Sequence, residues 1–229
     1  EIHLPTLTEK DKKDILFGLK HGIDFIAFSF VKNKKDIEEL RNFIKKHGAQ
    51  NDRAFPKIIA KIERKEAVKN FDEILASSDA IMIARGDLGI EMSLAEIPKL
   101  QKIFIQKCLA SAKPCIVATQ ILESMIKNPQ PTRAEVSDLA NAILDGADAV
   151  MLSGETAVGK YPIHAVQIMS DVSKTFDPTL KKMPPESLIP QKNNIGEITN
   201  AISLATYKMA ETLNAKAIIC ATRSGFPAR

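Results

Sequence analysis

Five short apolar runs, each ending in polar or charged residues, recur at near-regular intervals in the first two thirds of this 229-residue chain. They are Asp24 to Val31 (DFIAFSFV), Lys57 to Glu63 (KIIAKIE), Ala80 to Asp87 (AIMIARGD), Pro114 to Ile121 (PCIVATQI) and Ala149 to Thr156 (AVMLSGET). Continuous apolar runs of this length suit strands buried on both faces, as in a parallel sheet. Their starts lie 33, 23, 34 and 35 residues apart, the length of a strand, a crossover helix and two loops. The chain is therefore predicted to be α/β, and the regular spacing favours a (β/α)8 TIM-type barrel over an open doubly wound sheet. Five strands do not close an eight-stranded barrel, so either upstream strands lie outside this chain or the sheet is open.

The intervening stretches carry helical spacing and start signals. Asn33-Lys34-Lys35-Asp36 precedes Ile37, Leu40 and Ile44, and Thr132-Arg133-Ala134-Glu135 has the form of a capping box. Gly22 and Gly146 fall where a helix hands over to the next strand. After a helix-like segment ending near Phe176, a Pro-, Lys- and Asn-rich stretch reads as a linker. The predicted organisation is a partial barrel over 1–177, a linker over 178–197 and the start of a carboxyl-terminal α/β domain over 198–229. That last part holds one helix, about Ile198 to Leu213, and one apolar strand, Ala217 to Ala221.

Composition narrows the function classes. The net charge of +4 is spread along the chain, which gives little support to nucleic-acid binding. No run approaches the roughly 20 apolar residues of a membrane span, and the first residues lack the pattern of a secretory leader. Cys108, Cys115 and Cys220 are too few and too separated for a disulfide framework or a zinc cluster. Cys115 and Cys220, inside apolar runs, are expected to be buried thiols, and the expected location is the cytoplasm. The four histidines show no ligand spacing, and Lys32 to Lys46 reads as a solvated helix face.

In parallel α/β barrels, functional side chains project from the carboxyl ends of the strands. Ser29 closes the first run, Lys61 and Glu63 the second, Arg85 and Asp87 the third, Thr119 and Gln120 the fourth, and Ser153 and Glu155 the fifth. Lys61/Glu63 and Arg85/Asp87 are i, i+2 pairs, which an extended strand points to one face. Charges at the end of an apolar strand are costly to bury without partners. Glu63 and Asp87, on neighbouring strands, suit the one or two hard oxygen ligands that Mg²⁺ takes from protein. The glycines of Arg85-Gly86-Asp87-Leu88-Gly89 let a backbone approach an anionic ligand closely. Gly154 to Tyr161 has phosphate-loop spacing but places Tyr161 where a Ser or Thr must meet the metal, so that reading is set aside.

Lys61-Ile62-Glu63, Ala84-Arg85-Gly86-Asp87-Leu88-Gly89, Ala118-Thr119-Gln120-Ile121-Leu122-Glu123-Ser124-Met125 and Met151-Leu152-Ser153-Gly154-Glu155-Thr156-Ala157 occur in this order, with Pro131-Thr132-Arg133-Ala134-Glu135 between the last two. Taken together, the chain resembles the pyruvate kinase family over nearly its whole length. The resemblance implies strands four to eight of the catalytic barrel, joined to the opening of the carboxyl-terminal domain. It implies transfer of a phosphoryl group from phosphoenolpyruvate to ADP, giving pyruvate and ATP, with Mg²⁺ (or Mn²⁺) and K⁺. The K⁺ ligands are expected in an amino-terminal part that this chain lacks.

The resemblance also implies roles for individual residues. Glu63 and Asp87 match the metal ligands, and Lys61 the lysine that stabilises the transferring phosphoryl group. The N–H groups of Gly86 and Asp87, with the Thr119 hydroxyl, match the cradle of the substrate carboxylate. Thr119, Ser153 and Glu155 match the protonation network, and Ser29 lies near the nucleotide phosphates. Arg85 matches a residue used for intersubunit or local ion-pair contacts. A cytoplasmic homotetramer is implied for the full-length enzyme, with the isolated chain inactive. Two other readings are a metal-dependent lyase or aldolase barrel acting on an enolate, and a catalytically silent fragment that exposes an apolar strand edge at Asp24 to Val31.

Overall fold

The computed structural model describes residues 6–48, 55–180 and 197–221. In chain order the elements are α1 (Glu9–His21), β1 (Phe25–Phe28), α2 (Lys34–His47), β2 (Lys57–Ile62), α3 (Lys65–Lys69), α4 (Phe71–Ser77), β3 (Ala80–Ala84), α5 (Arg85–Glu91) and α6 (Ile97–Ala110). There follow β4 (Cys115–Ala118), a 3-10 turn at Glu123–Ile126, α7 (Arg133–Leu144), β5 (Ala149–Met151), α8 (Gly154–Ala157), α9 (Pro162–Leu180) and α10 (Glu197–Thr212).

The five strands form one parallel sheet in the order β1-β2-β3-β4-β5. An open doubly wound sheet reverses its strand order at a switch point; this one never does, so it is an arc of a (β/α) barrel that the chain does not close. Phe28 pairs with Ala60, Ile62 with Ile83, and Ala118 with both Ala84 and Met151, so the strands end nearly level. The residues that follow them share one rim.

Local signals in the sequence start and stop these elements. Asn33 and Asp36 form a reciprocal capping box at the start of α2, and Thr132 and Glu135 another at α7. Gly22 ends α1 at φ 70° and Gly146 follows α7 at φ 96°, conformations that cost a residue with a Cβ. The acidic residues that lead two strands have a specific job. Asp79 accepts the N–H of Ile58 at 2.9 Å and Asp148 that of Cys115 at 2.8 Å, so each fastens the strand before it.

The core lies between the sheet and the outer helices. In β2, Ile58, Ala60 and Ile62 are buried on that side, while Lys57, Ile59 and Lys61 alternate to the other. Ile37, Leu40 and Ile44 of α2 are buried, leaving Lys34, Lys35, Lys45 and Lys46 on the solvated face, whereas Arg41 turns inward to bind Ser77 O and Asp79. The Phe71 and Phe104 rings stack with centroids 4.0 Å apart. The free edge of β1 is exposed, as expected of an open arc. A groove of about 730 Å³, lined by Ile15, Ile23, Phe25, Ile26 and Phe28 among others, runs along it.

Several expectations need correction. The strands stop short of their predicted ends because the loops turn sharply once ladder pairing ceases. Arg85 and Asp87 therefore lie in the first turn of α5 and not in a strand, so they do not share a face as the i, i+2 spacing predicts. The helix expected to end near Phe176 runs to Leu180. Ala217 to Ala221 is exposed and forms no strand among the described residues, since an apolar run becomes a strand only where a partner completes its ladder. Cys220 is accordingly exposed and not buried, whereas Cys108 and Cys115 are buried. Most of the expected linker, at 181–196, lies outside the described residues.

Candidate active site

The rim at the carboxyl ends of the strands gathers the candidate residues into neighbouring groups. The first group surrounds the end of β2. Lys61 Nζ donates to Ser29 Oγ at 2.9 Å and pairs with Glu63 Oε1 at 2.6 Å. Glu63 Oε2 accepts the N–H of Phe30 at 2.6 Å. Lys61 and Glu63 thus do share a face, as their spacing predicts. Glu63 is only 2% exposed, and its charge is tolerable there because a cation and a backbone donor both face it. Phe30 adopts φ 56° to supply that donor, and the Arg64 guanidinium lies 5.6 Å above its ring.

The second group joins β3 to β4. Gly86, at the start of α5, donates its N–H to Thr119 Oγ1 at 2.7 Å, and the Thr119 hydroxyl donates to Ala118 O at 2.6 Å. A Cβ on Gly86 would stand 3.3 Å from Thr119 Oγ1, a tight contact that would push the threonine hydroxyl back by a few tenths of an ångström. Thr119 and Gln120 both hold positive φ, 68° and 54°. Asp87 sits beside this contact in the first turn of α5, where backbone N–H groups have no intrahelical partner.

Arg85 is itself buried, and its guanidinium is taken up by neighbouring protein groups. It pairs with Asp138 at 2.6 Å and donates to the carbonyls of Thr119 and Gln120 at 3.0 and 2.8 Å. This is the local ion-pair role that the resemblance implies. Ser153 follows β5 at the start of α8. Glu155, expected in the protonation network, is 2% exposed, and its two oxygens accept the N–H groups of Leu122 and Ser153 at 3.0 and 2.8 Å. A carboxylate engaged on both oxygens by backbone donors fastens the loops after β4 and β5 together.

Glu135 does comparable work one loop further on. It accepts from the N–H and hydroxyl of Ser124 at 2.7 and 2.6 Å, and from those of Thr132 at 2.7 and 2.9 Å. Burial raises its pKa, but these hydrogen bonds outweigh burial and the net value lies below the ordinary carboxyl range.

The donor set fits a divalent cation. Glu63, just after β2, and Asp87, in the first turn of α5, are the hard carboxylate donors expected for it, and each Glu63 oxygen keeps a further lone pair beyond the contacts it makes. Among the described residues no group of three or more His, Cys, Asp or Glu comes together to hold a metal ion.

Sequence reasoning missed three contributors. No sequence signal marks the Phe30 N–H, since every residue but proline carries one. The capping box revealed Glu135 but not its reach to Ser124. The run of charges showed Arg85 but not its grip on the Thr119 turn.

Residues 1–166 match the family model described as pyruvate kinase, barrel domain. The pyruvate kinase of Geobacillus stearothermophilus is 47% identical over 227 residues, covering 98% of this chain and 38% of that protein. The pyruvate kinase of Clostridium acetobutylicum is 45% identical over 230 residues, covering 100% of this chain and 47% of that protein. The crystal structure of a pyruvate kinase from Cryptosporidium parvum superposes with a TM-score of 0.86 at 44% identity, covering 100% of this chain and 47% of that one. The chain thus spans less than half the length of these relatives.

Proposed function

This chain belongs to the pyruvate kinase family, and from that premise we propose that it is the second part of the catalytic barrel of an enzyme that transfers a phosphoryl group from phosphoenolpyruvate to ADP, yielding pyruvate and ATP. The observation that carries the reading is the Ser29–Lys61–Glu63 cluster on the same rim as the Gly86–Thr119 contact. Transfer between two anions needs alignment and charge neutralisation more than a covalent nucleophile.

Lys61 is the group that stabilises charge on the transferring phosphoryl group, and Ser29 Oγ holds its ammonium in place. At the start of α5 the backbone N–H of Asp87 orients the substrate carboxylate, while the N–H of Gly86, which the resemblance places in the same cradle, is engaged by Thr119 Oγ1 and seats that hydroxyl beside it. Thr119 and Ser153 lie on the protonation side of the enolate, and Glu155 holds their loops. Glu63 and Asp87 hold Mg²⁺ or Mn²⁺, which supplies charge neutralisation when bound. K⁺ is the second cation. The domain limits 1–177, 178–197 and 198–229, a cytoplasmic location and a homotetrameric parent enzyme belong to the same reading. No helix among the described residues is long and apolar enough to cross a membrane.

The test is pyruvate formation from phosphoenolpyruvate by the intact parent protein with Mg²⁺ and K⁺, with and without ADP, beside Lys61→Met. ADP-dependent pyruvate that falls by orders of magnitude in the variant supports the assignment. Pyruvate released regardless of ADP, or none from a folded parent, would turn the reading towards another enolate chemistry or a silent relative.

A further inference from the structure

Thr119 and Gln120 are the one place among the described residues where two consecutive non-glycine residues hold positive φ, 68° and 54°. For a β-branched residue such as threonine this is a true outlier, and such backbone persists only where its surroundings over-determine it. The surroundings here are specific. Arg85 Nη2 donates to Thr119 O at 3.0 Å and to Gln120 O at 2.8 Å, and its Nε reaches Thr119 O at 3.3 Å. Nη1 is anchored by Asp138 at 2.6 Å and by Gln101 Oε1 at 3.3 Å, so the guanidinium plane cannot swing. The next residue, Gly86, holds the Thr119 hydroxyl through its N–H at 2.7 Å. The side chain of Arg85 and the backbone of its neighbour therefore grip the same threonine from two sides. Beyond the turn, Glu155 fastens Leu122 N–H.

We propose that Arg85 is a positioning residue for the reaction: its guanidinium locks the Thr119-Gln120 turn in the left-handed conformation that sets the Thr119 hydroxyl against Gly86, without touching substrate. The inference rests on the phosphoryl-transfer reading above. It gives Arg85 a part that its charge alone does not explain, because only a planar fork with fixed donors spans two successive carbonyls and two anchors at once.

The test uses the intact parent protein and the variants Arg85→Lys, Gln120→Gly and the pair combined. Lysine keeps the positive charge beside Asp138 but loses the fork. Arg85→Lys is expected to lower kcat/KM for phosphoenolpyruvate by about 100-fold, the effect of misplacing a reacting group by roughly 1 Å, with little change in KM for ADP. Gln120→Gly alone is expected to stay active, since glycine adopts positive φ without strain. In the double variant glycine should hold the turn unaided and restore most of the loss, which no charge-pairing or general packing role of Arg85 would produce.

Crystal structures give a readout independent of activity. In Arg85→Lys the 119–120 torsions should leave the positive region, and in the double variant they should return. Unchanged kcat/KM, unchanged torsions in Arg85→Lys, or no recovery in the double variant would overturn the inference. A parent protein that makes no ADP-dependent pyruvate would instead sink the reaction reading, and the torsions would still decide whether Arg85 holds the turn.

Discussion

Replacing Lys61 by methionine keeps the length of the side chain and removes the cation from Glu63, a carboxylate only 2% exposed. One hydrogen bond, from the Phe30 N–H at 2.6 Å, would remain to it. Breaking a buried ion pair from one side costs about 3–5 kcal/mol, because the other charge is left uncompensated. The Lys61 side chain is itself 23% exposed, so water already screens part of the pair and the lower end applies, about 3 kcal/mol. At about 2–4 °C per kcal/mol for an unfolding unit of this size, Tm should fall by about 6–12 °C. Adding Glu63→Gln removes the orphaned charge while the amide oxygen still accepts from Phe30, and should recover about two thirds of the loss. Scanning calorimetry of the intact parent protein in EDTA measures all three, with pyruvate formation followed in parallel. The double variant should regain most of the lost stability, which assigns the loss in Lys61→Met to the uncompensated Glu63 charge; since Glu63 is also the proposed metal ligand, activity is compared between the parent and Lys61→Met alone. A Lys61→Met protein as stable as the parent, or a double variant less stable than the single one, would refute the reasoning.

Two further outcomes follow from the packing. Glu135 titrates below its ordinary value of 4.5 in the folded protein, so its contribution is present above that value and is lost as pH falls through the folded one. The stability gap between the parent and Glu135→Gln, read from urea midpoints, should be open at neutral pH and close in acid; a gap that stays constant would contradict the hydrogen-bond account. Phe71, stacked on Phe104 with centroids 4.0 Å apart, is 2% exposed, and Phe71→Ala should cost about 3–5 kcal/mol in the same denaturation assay. A loss near zero would mean that the outer layer of the arc collapses around the cavity.

The sequence by itself determined the strands and their parallel order of use, through continuous apolar runs at barrel spacing. It determined the starts of α2 and α7 through capping boxes, and placed Lys61 and Glu63 on one face through alternation. All of these are local, carried by period and by neighbours a few residues apart. Only the tertiary structure decided that Arg85 grips the Thr119-Gln120 turn, that Glu155 reaches the Leu122 N–H, and that Thr119, Gln120 and Phe30 hold positive φ. The physical reason is common to them. A backbone torsion that the residue's own chemistry disfavours is set by partners 33 to 35 positions away in sequence, and no local pattern records which distant donor or acceptor will meet it. The failed strand at Ala217 to Ala221 teaches the same lesson in reverse: its composition suits a ladder, but the partner that would complete one is not among the described residues.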